Sequence, residues 1–338
     1  MKRRRARRRG RGKRRFGGLI LLALGTWVVA RVRGRRRSQP VAPGSRPGAR
    51  PAKADAGTGS AVAAQAETRI SVLVPEGQEA WVPGPAGSIH LVSCHAGGRA
   101  EVAFVHGLGG RLAHWHQQLA ALGPALAGMA FDLPGHGGSD PARGEHDAVD
   151  SAAAALGAAL DAAGIRRPLV VAHGWGSLAA LRWAAARPGR ARGLLLIDPP
   201  GDQSRMARDE VAAFRQAVAE DARGTLGQFV EHSLADVSSP IAARVLADLE
   251  ATEDNMLRAA LKASTLATPA ADAITASVPI HLATSDLGRG PKTLDRLLPA
   301  AVCWRLERGG HWPMLVRPER FNHLLDDVLD ALPGISQA

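Results

Sequence analysis

The sequence predicts an α/β fold in which a mostly parallel, eight-stranded sheet carries helices on both faces and a helical cap. From Thr68 onward, short runs rich in Val, Ile and Leu end in Gly, Asp or Pro and alternate with Ala- and Leu-rich helical stretches. Strands that are apolar throughout are typical of a parallel sheet that is buried on both faces. Between Pro199 and Ser277 the alternation stops and several helices follow one another, which predicts the cap.

We expect eight strands, one at each apolar run. They lie at residues 69–74, 88–95, 101–106, 128–132, 168–173, 192–198, 278–284 and 301–307. The last helix is expected at 317–332, where Phe321, Leu325 and Val328 belong to one apolar stripe.

The helical insertion is expected at 199–277. One helix start within it is marked by Ser239 as N-cap and Pro240 at the first helical position. Open α/β sheets bind ligands at the carboxyl ends of their strands. Because the insertion begins at such an end, we expect it to close over a pocket.

The composition excludes several kinds of chemistry. The 338 residues include two cysteines and no tyrosine. Two cysteines cannot build a disulfide-dense scaffold or a paired CxxC zinc site. Without tyrosine, mechanisms that need a phenol as general acid are excluded, including those of Tyr-dependent short-chain dehydrogenases and epoxide-opening enzymes. Cys94 and Cys303 fall on the second and eighth predicted strands, so we expect them to lie far apart, and we expect neither a metal nor a cofactor.

The positive charge is concentrated in the N-terminal tail. Residues 1–53 hold 19 of the 43 basic residues, whereas the remaining 285 residues carry 24 basic and 31 acidic side chains. The main domain is therefore mildly acidic, and we expect it not to bind nucleic acid.

The tail, residues 1–37, surrounds an uncharged apolar run at 16–30. As a helix this run would be roughly 22 Å long, shorter than a hydrocarbon core of about 30 Å. It would span a bilayer if the flanking arginines snorkel and the bilayer thins. Eleven basic residues before the run and eight after it then favour an N-terminus inside and an extracytoplasmic main domain.

Two alternatives to a membrane anchor stay open. The run could lie at the membrane surface, held by anionic lipid head groups, which also makes membrane lipid a partner of the tail. Alternatively, the start codon is misassigned and the protein is cytoplasmic. Residues 38–67 are rich in Pro, Ala, Gly and Ser, which predicts a flexible linker. The core is then expected at 68–198 and 278–333.

Four segments resemble the α/β-hydrolase superfamily over roughly residues 68–333. They are FVHGLGG (104–110), FDLPGHGGSD (131–140), VVAHGWGSLAALRWA (170–184) and RGGHWPMLVRPERFN (308–322). All four follow the appropriate predicted strands in the family's order. The resemblance implies the α/β-hydrolase fold and a hydrolase ancestry, with a small apolar substrate of the ester, acyl or haloalkane kind.

The same resemblance implies where the oxyanion hole lies. Leu108 follows the third strand, where its backbone N–H would be one donor to a developing negative charge, and the N–H of Trp175 would be the other. Gly107 and His106, next to Leu108, are expected to border the pocket.

Two further tryptophans, Trp115 and Trp312, are also expected at the pocket, which implies an apolar or planar ligand. Asp132 and His136 look like members of the family's structural loop after the fourth strand, and we assign them to loop architecture.

His311 is the strongest catalytic candidate. It lies in a Gly-Gly-His-Trp-Pro loop before the last helix, where the family carries its general base. Imidazole side chains, with an ordinary pKa of about 6.5, are suited to accept a proton at neutral pH. The carboxylate that orients His311 is expected to be Asp286, after the seventh strand. Asp198, which ends the sixth strand, is the alternative that some members use.

The largest departure from the family is at the nucleophile elbow. The family pattern is Gly-x-nucleophile-x-Gly on a sharp turn, and residues 172–176 read AHGWG, so that Gly174 stands at the nucleophile position. Glycine accepts the turn without penalty but has no side-chain atom that attacks carbon. The segment resembles HDWGS of haloalkane dehalogenases, whose Trp helps to bind halide, and SWGS of serine esterases and peptidases.

Three functions remain open from the sequence. The first is a degenerate hydrolase of small apolar compounds that keeps His311 and the oxyanion amides, with weak or lost activity. The second is a non-catalytic, membrane-anchored protein that binds a small apolar molecule or serves as a scaffold. The third is His-based proton transfer, as in the cofactor-free dioxygenases of this fold.

Overall fold

The computed structural model describes residues 73–98, 100–142, 147–286, 292–306 and 310–332. Within these ranges the strands are β1 (Gln78–Gly84), β2 (Gly87–Cys94), β3 (Ala100–Val105), β4 (Leu126–Phe131), β5 (Leu169–His173), β6 (Gly193–Ile197), β7 (Ile280–Thr284) and β8 (Val302–Arg305). They form one sheet in the order β1-β2-β4-β3-β5-β6-β7-β8. The predicted tail and linker, residues 1–67, lie outside the described ranges.

The sheet is mostly parallel, as the sequence predicts. Strand β2 pairs antiparallel with both β1 and β4, and all other pairs are parallel. The predicted first strand at 69–74 is wrong, because Leu73 and Val74 lie outside any strand and residues 69–72 are not described. The first strand is instead β1, an edge strand without buried positions whose pattern lacks the apolar run that marks the other strands.

The helices of the core lie around this sheet. They are α1 (His116–Ala121), α2 (Ala148–Ala162), α3 (Gly176–Ala186), α9 (Leu294–Leu297), α10 (Pro313–Val316) and α11 (Pro318–Ala331). Helices α4 to α8 lie between β6 and β7 and are described in the next paragraph. Helix α2 packs against α3, and α1 packs against α11. Strands β5 and β6 are buried along their whole length, so the core is centred on the strands that present the site.

Five helices connect β6 to β7, in the stretch where the sequence predicts the cap, and we call this group of helices the cap. They are α4 (Arg208–Glu220), α5 (Ala222–Ser233), α6 (Ser239–Ala251), α7 (Asp254–Ser264) and α8 (Pro269–Ala276). Helix α6 begins at Ser239, so its N-cap is Ser238, one residue earlier than expected, and no side-chain capping bond forms there. Arg182 of α3 joins the cap to the core because its guanidinium contacts Asp272 of α8 at 3.1 Å.

Some expectations concern other parts of the molecule. Cys94 is buried on β2 and Cys303 is exposed on β8, and the two are not joined by a disulfide. Among the described residues, every helix is too short or too polar to cross a bilayer, and the apolar run at 16–30 lies outside them. The same ranges hold no group of three or more His, Cys, Asp or Glu side chains that would bind a metal.

Candidate active site

The predicted site forms where β3, β5 and β6 end side by side. Gly107 follows β3, Gly174 follows β5 and Asp198 follows β6. Because these strands are parallel neighbours, their carboxyl ends meet at one edge of the sheet. His311 reaches the same place from the loop before α10 and is 7% exposed.

His311 pairs with Asp198. Its Nδ1 lies 3.1 Å from Oδ2 of Asp198, and both side chains are buried. The carboxylate is held from the other side by Ser285, whose backbone N–H donates to Oδ1 at 2.7 Å and whose hydroxyl donates to Oδ2 at 2.5 Å. Asp198 has φ +42°, a left-handed conformation that is uncommon outside glycine and frequent at functional sites.

The expectation that Asp286 orients His311 is therefore wrong, because Asp198 occupies that position. The side chain of Asp286 is 82% exposed and pairs with the guanidinium of Arg305 at 3.2 Å. Asp198 holds the position because it ends a central strand, whereas Asp286 follows β7 by two residues and faces solvent. The alternative left open by the sequence is the arrangement that the structure has.

The elbow keeps its sharp turn without a nucleophile. Gly174 has φ +49°, and its N–H donates to Ile197 O at 2.8 Å. A Cβ atom at this position would lie 3.5 Å from Nε2 of His311 and 4.0 Å from Cα of Gly107, which are ordinary contact distances. The site therefore has room for a side chain at Gly174, directly in front of the imidazole.

The backbone N–H groups expected to form the oxyanion hole are those of Leu108 and Trp175. Among the described residues, no backbone acceptor takes the N–H of Leu108 or of Trp175. Trp175 immediately precedes α3, whose N-terminus adds positive potential at this point. Unpaired, preorganised amides of this kind stabilise negative charge that develops on a carbonyl oxygen.

The loop that carries Leu108 is braced by the loop after β4. Its three bonds run from Gly109 N–H to His136 Nε2 at 3.1 Å, from Leu112 N–H to Asp132 Oδ1 at 2.6 Å, and from Leu133 N–H to His106 Nε2 at 2.9 Å. The assignment of Asp132 and His136 to loop architecture fits these contacts. What sequence reasoning missed is that this architecture fixes the oxyanion loop.

His106 belongs to this brace and does not border the cavity. Its ring is fully buried, and Nδ1 lies 2.8 Å from Gly107 O. Burial first, and then the neighbouring imidazole of His136, lower the pKa of His106 to about 3. The ring therefore stays neutral near pH 7 and keeps Nε2 as an acceptor for Leu133. The expectation that His106 lines the pocket is wrong.

His173 holds the backbone of His311 in place through a hydrogen bond. Its Nε2 donates to the backbone O of His311 at 2.8 Å, and the two ring centroids are 4.4 Å apart. Burial lowers the pKa of His173 well below its ordinary value, and the nearby His311 lowers it further. A neutral His173 adds no positive charge that would oppose protonation of His311. The only sequence signal for this contact is the position of His173 next to Gly174.

A small cavity lies over Gly174. Its volume is about 30 Å³, and it is bordered by Gly107, Leu108, His173, Gly174, Trp175, Asp198, Pro200, Leu226, Phe229, Val230, His311 and Trp312. Leu226, Phe229 and Val230 come from α5, so one helix of the connection between β6 and β7 borders the cavity. The cavity is large enough for about one water molecule.

Two indole N–H groups tie the cap to the site. Nε1 of Trp175 donates to the backbone O of Ala260 in α7 at 3.0 Å, and Nε1 of Trp312 donates to Oγ of Ser233 in α5 at 2.9 Å. The indole N–H of Trp175 is therefore occupied by this bond and does not face the cavity as a donor to a halide. A third contact joins His114 Nε2 to Asp248 of α6 at 2.8 Å.

Trp115 does not reach the cavity. It is fully buried and stacks on Phe104 with ring centroids 5.1 Å apart, so it is a core residue and its predicted place at the pocket is wrong. A larger cavity of about 260 Å³ lies elsewhere, between β8 and α11, and its lining contains none of the predicted catalytic residues.

Known proteins share this fold and parts of this sequence. Lipase LipV of Mycobacterium tuberculosis is 36% identical over 33% of this chain and 41% of its own length. The dihydrolipoyllysine-residue acetyltransferase component of the acetoin cleaving system of Cupriavidus necator is 36% identical over 31% of this chain and 28% of its own length. The matches thus span less than half of either relative.

A solved hydrolase from Pseudomonas aeruginosa superposes with a TM-score of 0.64 at 19% identity, covering 75% of this chain and 99% of that one, which shows a common fold. The sequence profile described as the alpha/beta hydrolase family matches residues 102–324, more than half of the chain. With the strand order and the loop positions above, this match shows that the chain belongs to the alpha/beta hydrolase family.

Proposed function

We propose that this protein hydrolyses small apolar acyl compounds slowly, with a water molecule over Gly174 in place of the family's nucleophilic side chain. The observation that carries the proposal is the intact His311–Asp198 pair facing an elbow that has no side chain. A base and an oxyanion hole remain, and only the attacking atom must come from solvent.

The hydrogen bonds define the direction of proton transfer. Since the Asp198 carboxylate accepts at Nδ1 of His311, that nitrogen carries the proton and Nε2 presents its lone pair. Nε2 points toward Gly174, where a hydroxyl would stand in a complete triad. A water molecule in the 30 Å³ cavity would donate to Nε2 and lose its proton as it attacks an acyl carbon.

The oxyanion amides supply the second half of the mechanism. A carbonyl oxygen between the N–H groups of Leu108 and Trp175 would gain charge as water adds to its carbon. In triad enzymes that lack one member, the oxyanion hole and binding still give about 10³- to 10⁴-fold acceleration over water. We expect a rate of this order, far below that of a complete triad.

An acyl substrate requires the cap to move. Pockets for small molecules usually measure about 300–1,000 Å³, and the cavity over Gly174 is about 30 Å³. Opening would have to separate α5 from Trp312 and α7 from Trp175. The apolar cap residues Leu226 and Phe229 favour an apolar acyl group, in keeping with relatives named as a lipase and an acetyltransferase component.

The test is the hydrolysis of 4-nitrophenyl acetate by the full chain. We expect turnover above the buffer rate that falls by about 10²-fold or more in His311→Gln, because the base is lost. Gly174→Ala should also remove it, since the added Cβ occupies the space of the water. A rate that is unchanged in both variants would contradict the proposal.

A binding function is the alternative outcome of the same experiment. It is favoured by one observation, the three polar contacts that hold the cap closed. If the chain shows no His311-dependent turnover of aryl, alkyl or thiol esters, the pocket serves to bind an apolar ligand and the hydrolase proposal is wrong.

A further inference from the structure

The imidazole of His311 meets the substrate position without an intervening hydroxyl. A Cβ on Gly174 would be 3.5 Å from Nε2, and among the described residues no hydrogen bond occupies Nε2. In a complete triad the serine oxygen stands between base and substrate. Here Nε2 of His311, which carries a lone pair, is the protein atom that would face an acyl carbon.

We propose that, toward acyl compounds with an acidic leaving group, His311 is the covalent nucleophile and forms an acyl-imidazole at Nε2. This inference rests on the hydrolysis and the oxyanion hole of the proposed function. For activated esters, such as aryl and enol esters, His311 takes the place of water in the first attack, and water attacks the acyl-imidazole afterwards. Histidine is among the side chains that form covalent intermediates in enzymes.

The size of the cavity favours direct attack over attack by water. The space between Gly174, Gly107 and Nε2 holds about one water molecule. A carbonyl group whose oxygen reaches the amides of Leu108 and Trp175 must bring its carbon into this same space and displace that water. Nε2 is then the nearest lone pair, within the roughly 3–3.5 Å of a near-attack geometry.

In the first step, His311 forms a bond to the carbonyl carbon and the aryl oxide leaves. The Nε2 lone pair of neutral His311 forms a bond to the carbonyl carbon, and the bond from that carbon to the aryl oxygen breaks, with the electron pair leaving on the aryl oxide. The product is an acyl-imidazolium. Its positive charge lies on the ring whose Nδ1–H donates to Asp198, a carboxylate that Ser285 holds with two hydrogen bonds.

The second step returns the histidine. Water adds to the acyl carbon and gives up one proton, and the bond between carbon and Nε2 breaks with its electron pair returning to the nitrogen. The carboxylic acid then loses its own proton, and of the two protons released one joins the aryl oxide to give the phenol and the other remains in solvent. The sum is ester plus water giving carboxylate, phenol and a proton. Esters of ordinary alcohols do not follow this route, because imidazole is expelled from the tetrahedral intermediate more readily than an alkoxide.

The structure supplies what an acyl-imidazolium needs and an isolated histidine lacks. His311 is 7% exposed, so the intermediate is shielded from bulk water. His173 holds the backbone of His311 at 2.8 Å and stays neutral because burial lowers its pKa, so it does not repel the cationic ring. By contrast, His323 lies exposed on α11, away from Asp198 and the elbow.

The test measures how the acyl group partitions between water and hydroxylamine. The full chain is given a series of aryl acetates that differ only in the phenol. An acetyl-His311 intermediate common to all of them predicts one ratio of acetate to acetohydroxamate across the series. Direct attack by water predicts a ratio that changes with the phenol, and that result would overturn the inference.

Acid quench, digestion and mass spectrometry give a second measurement on the same reactions. We expect an acetyl group on the His311 peptide of the natural chain, and none on that peptide in His311→Gln. His323→Gln is the matched histidine control, and Cys303→Ser controls for acetylation of the exposed thiol. Neither control should change the partition ratio.

Failure of the inference is distinguishable from failure of the proposed function. Phenol release that depends on His311 but shows a variable ratio and no acetylated His311 leaves the water mechanism standing and excludes the covalent one. Phenol release that does not depend on His311 excludes both.

Discussion

Nδ1 of His311 lies 3.1 Å from Oδ2 of Asp198, so the carboxylate that pairs with this histidine comes from the end of the sixth strand. The contact is possible because Asp198 directly follows β6, next to β5 and its elbow, and because Ser285 from the end of β7 holds the carboxylate. Asp198 and His311 are thus paired beside Gly174, where the proposed function places the attacking water.

Replacing the two candidate acids separates their roles. Asp198→Asn should lower the His311-dependent hydrolysis of 4-nitrophenyl acetate by about 10²-fold or more, because Nδ1 loses its charged partner and the tautomer is no longer fixed. Asp286→Asn should leave the rate unchanged, since that side chain is exposed and contacts only Arg305 among the described residues. Equal losses in both variants would contradict the assignment.

Restoring a nucleophile should restore fast turnover. In Gly174→Ser, a Cβ 3.5 Å from Nε2 allows the new hydroxyl to donate to His311, and we expect aryl ester hydrolysis to rise by at least about 10²-fold over the natural chain. The left-handed φ of +49° should lower the free energy of unfolding by roughly 1–3 kcal/mol.

Gly174→Ala is the matched control for this gain. It adds the same backbone strain without a hydroxyl, so it should be as destabilised as the serine variant in urea but inactive. If the serine variant is folded and no faster than the natural chain, the remaining groups are not aligned for catalysis.

The contact between Trp312 and Ser233 should hold the cap closed. Ser233→Ala leaves the buried Nε1 of Trp312 without its acceptor, and we expect a loss of about 1–3 kcal/mol in the free energy of unfolding. Looser closure should also lower KM for longer acyl chains. Ser264→Ala is the control, because its hydroxyl makes the same bond to the carbonyl three residues back, at 2.7 Å, and touches no indole.

The two variants are compared by urea unfolding and by KM across a series of 4-nitrophenyl esters. An equal KM in both variants at every chain length would show that the Trp312 contact does not gate access.

Acid should destabilise the brace of the oxyanion loop. Burial lowers the pKa of His106 to about 3, and burial also lowers the pKa of His136. Both rings take up protons more readily when the chain is unfolded, so their contribution to stability is complete above pH 6.5 and falls as the pH drops below it. For His106, whose pKa in the folded chain is about 3, the loss continues toward pH 3 with a slope of about 1.4 kcal/mol per pH unit.

The measurement is the free energy of unfolding at pH 7.5 and 5.5 for the natural chain and for His106→Gln. Other titrating groups, such as His90 with its raised pKa, act equally in both proteins and cancel in the comparison. We expect a smaller pH dependence in His106→Gln, and an equal dependence in both would contradict the role of the neutral ring.

Much of the fold was predictable because buried parallel strands appear in the sequence as continuous apolar runs. Seven of the eight strands coincide with such runs, and the edge strand β1 does not, since its exposed positions carry no apolar pattern. Loop motifs predicted the positions of Gly174, Leu108 and His311 because each follows a recognisable strand.

The residues that were misplaced differ only in where their side chains point. Asp198 and Asp286 both follow strands, and only the three-dimensional path of the chain turns one toward His311 and the other toward solvent. His106 and Trp115 lie next to the oxyanion loop in sequence, yet both side chains are fully buried in the core below it. Neighbourhood along the chain does not determine which face of a loop a side chain occupies.

Labelling with a fluorophosphonate shows whether the natural chain has an activated nucleophilic side chain beside His311. This probe forms a stable adduct with an activated hydroxyl, and its site is read by mass spectrometry. We expect no adduct on any serine, threonine or cysteine near the site of the natural chain, and an adduct at position 174 in Gly174→Ser. An adduct on such a side chain in the natural protein, lost in His311→Gln, would show that the attacking atom was never missing.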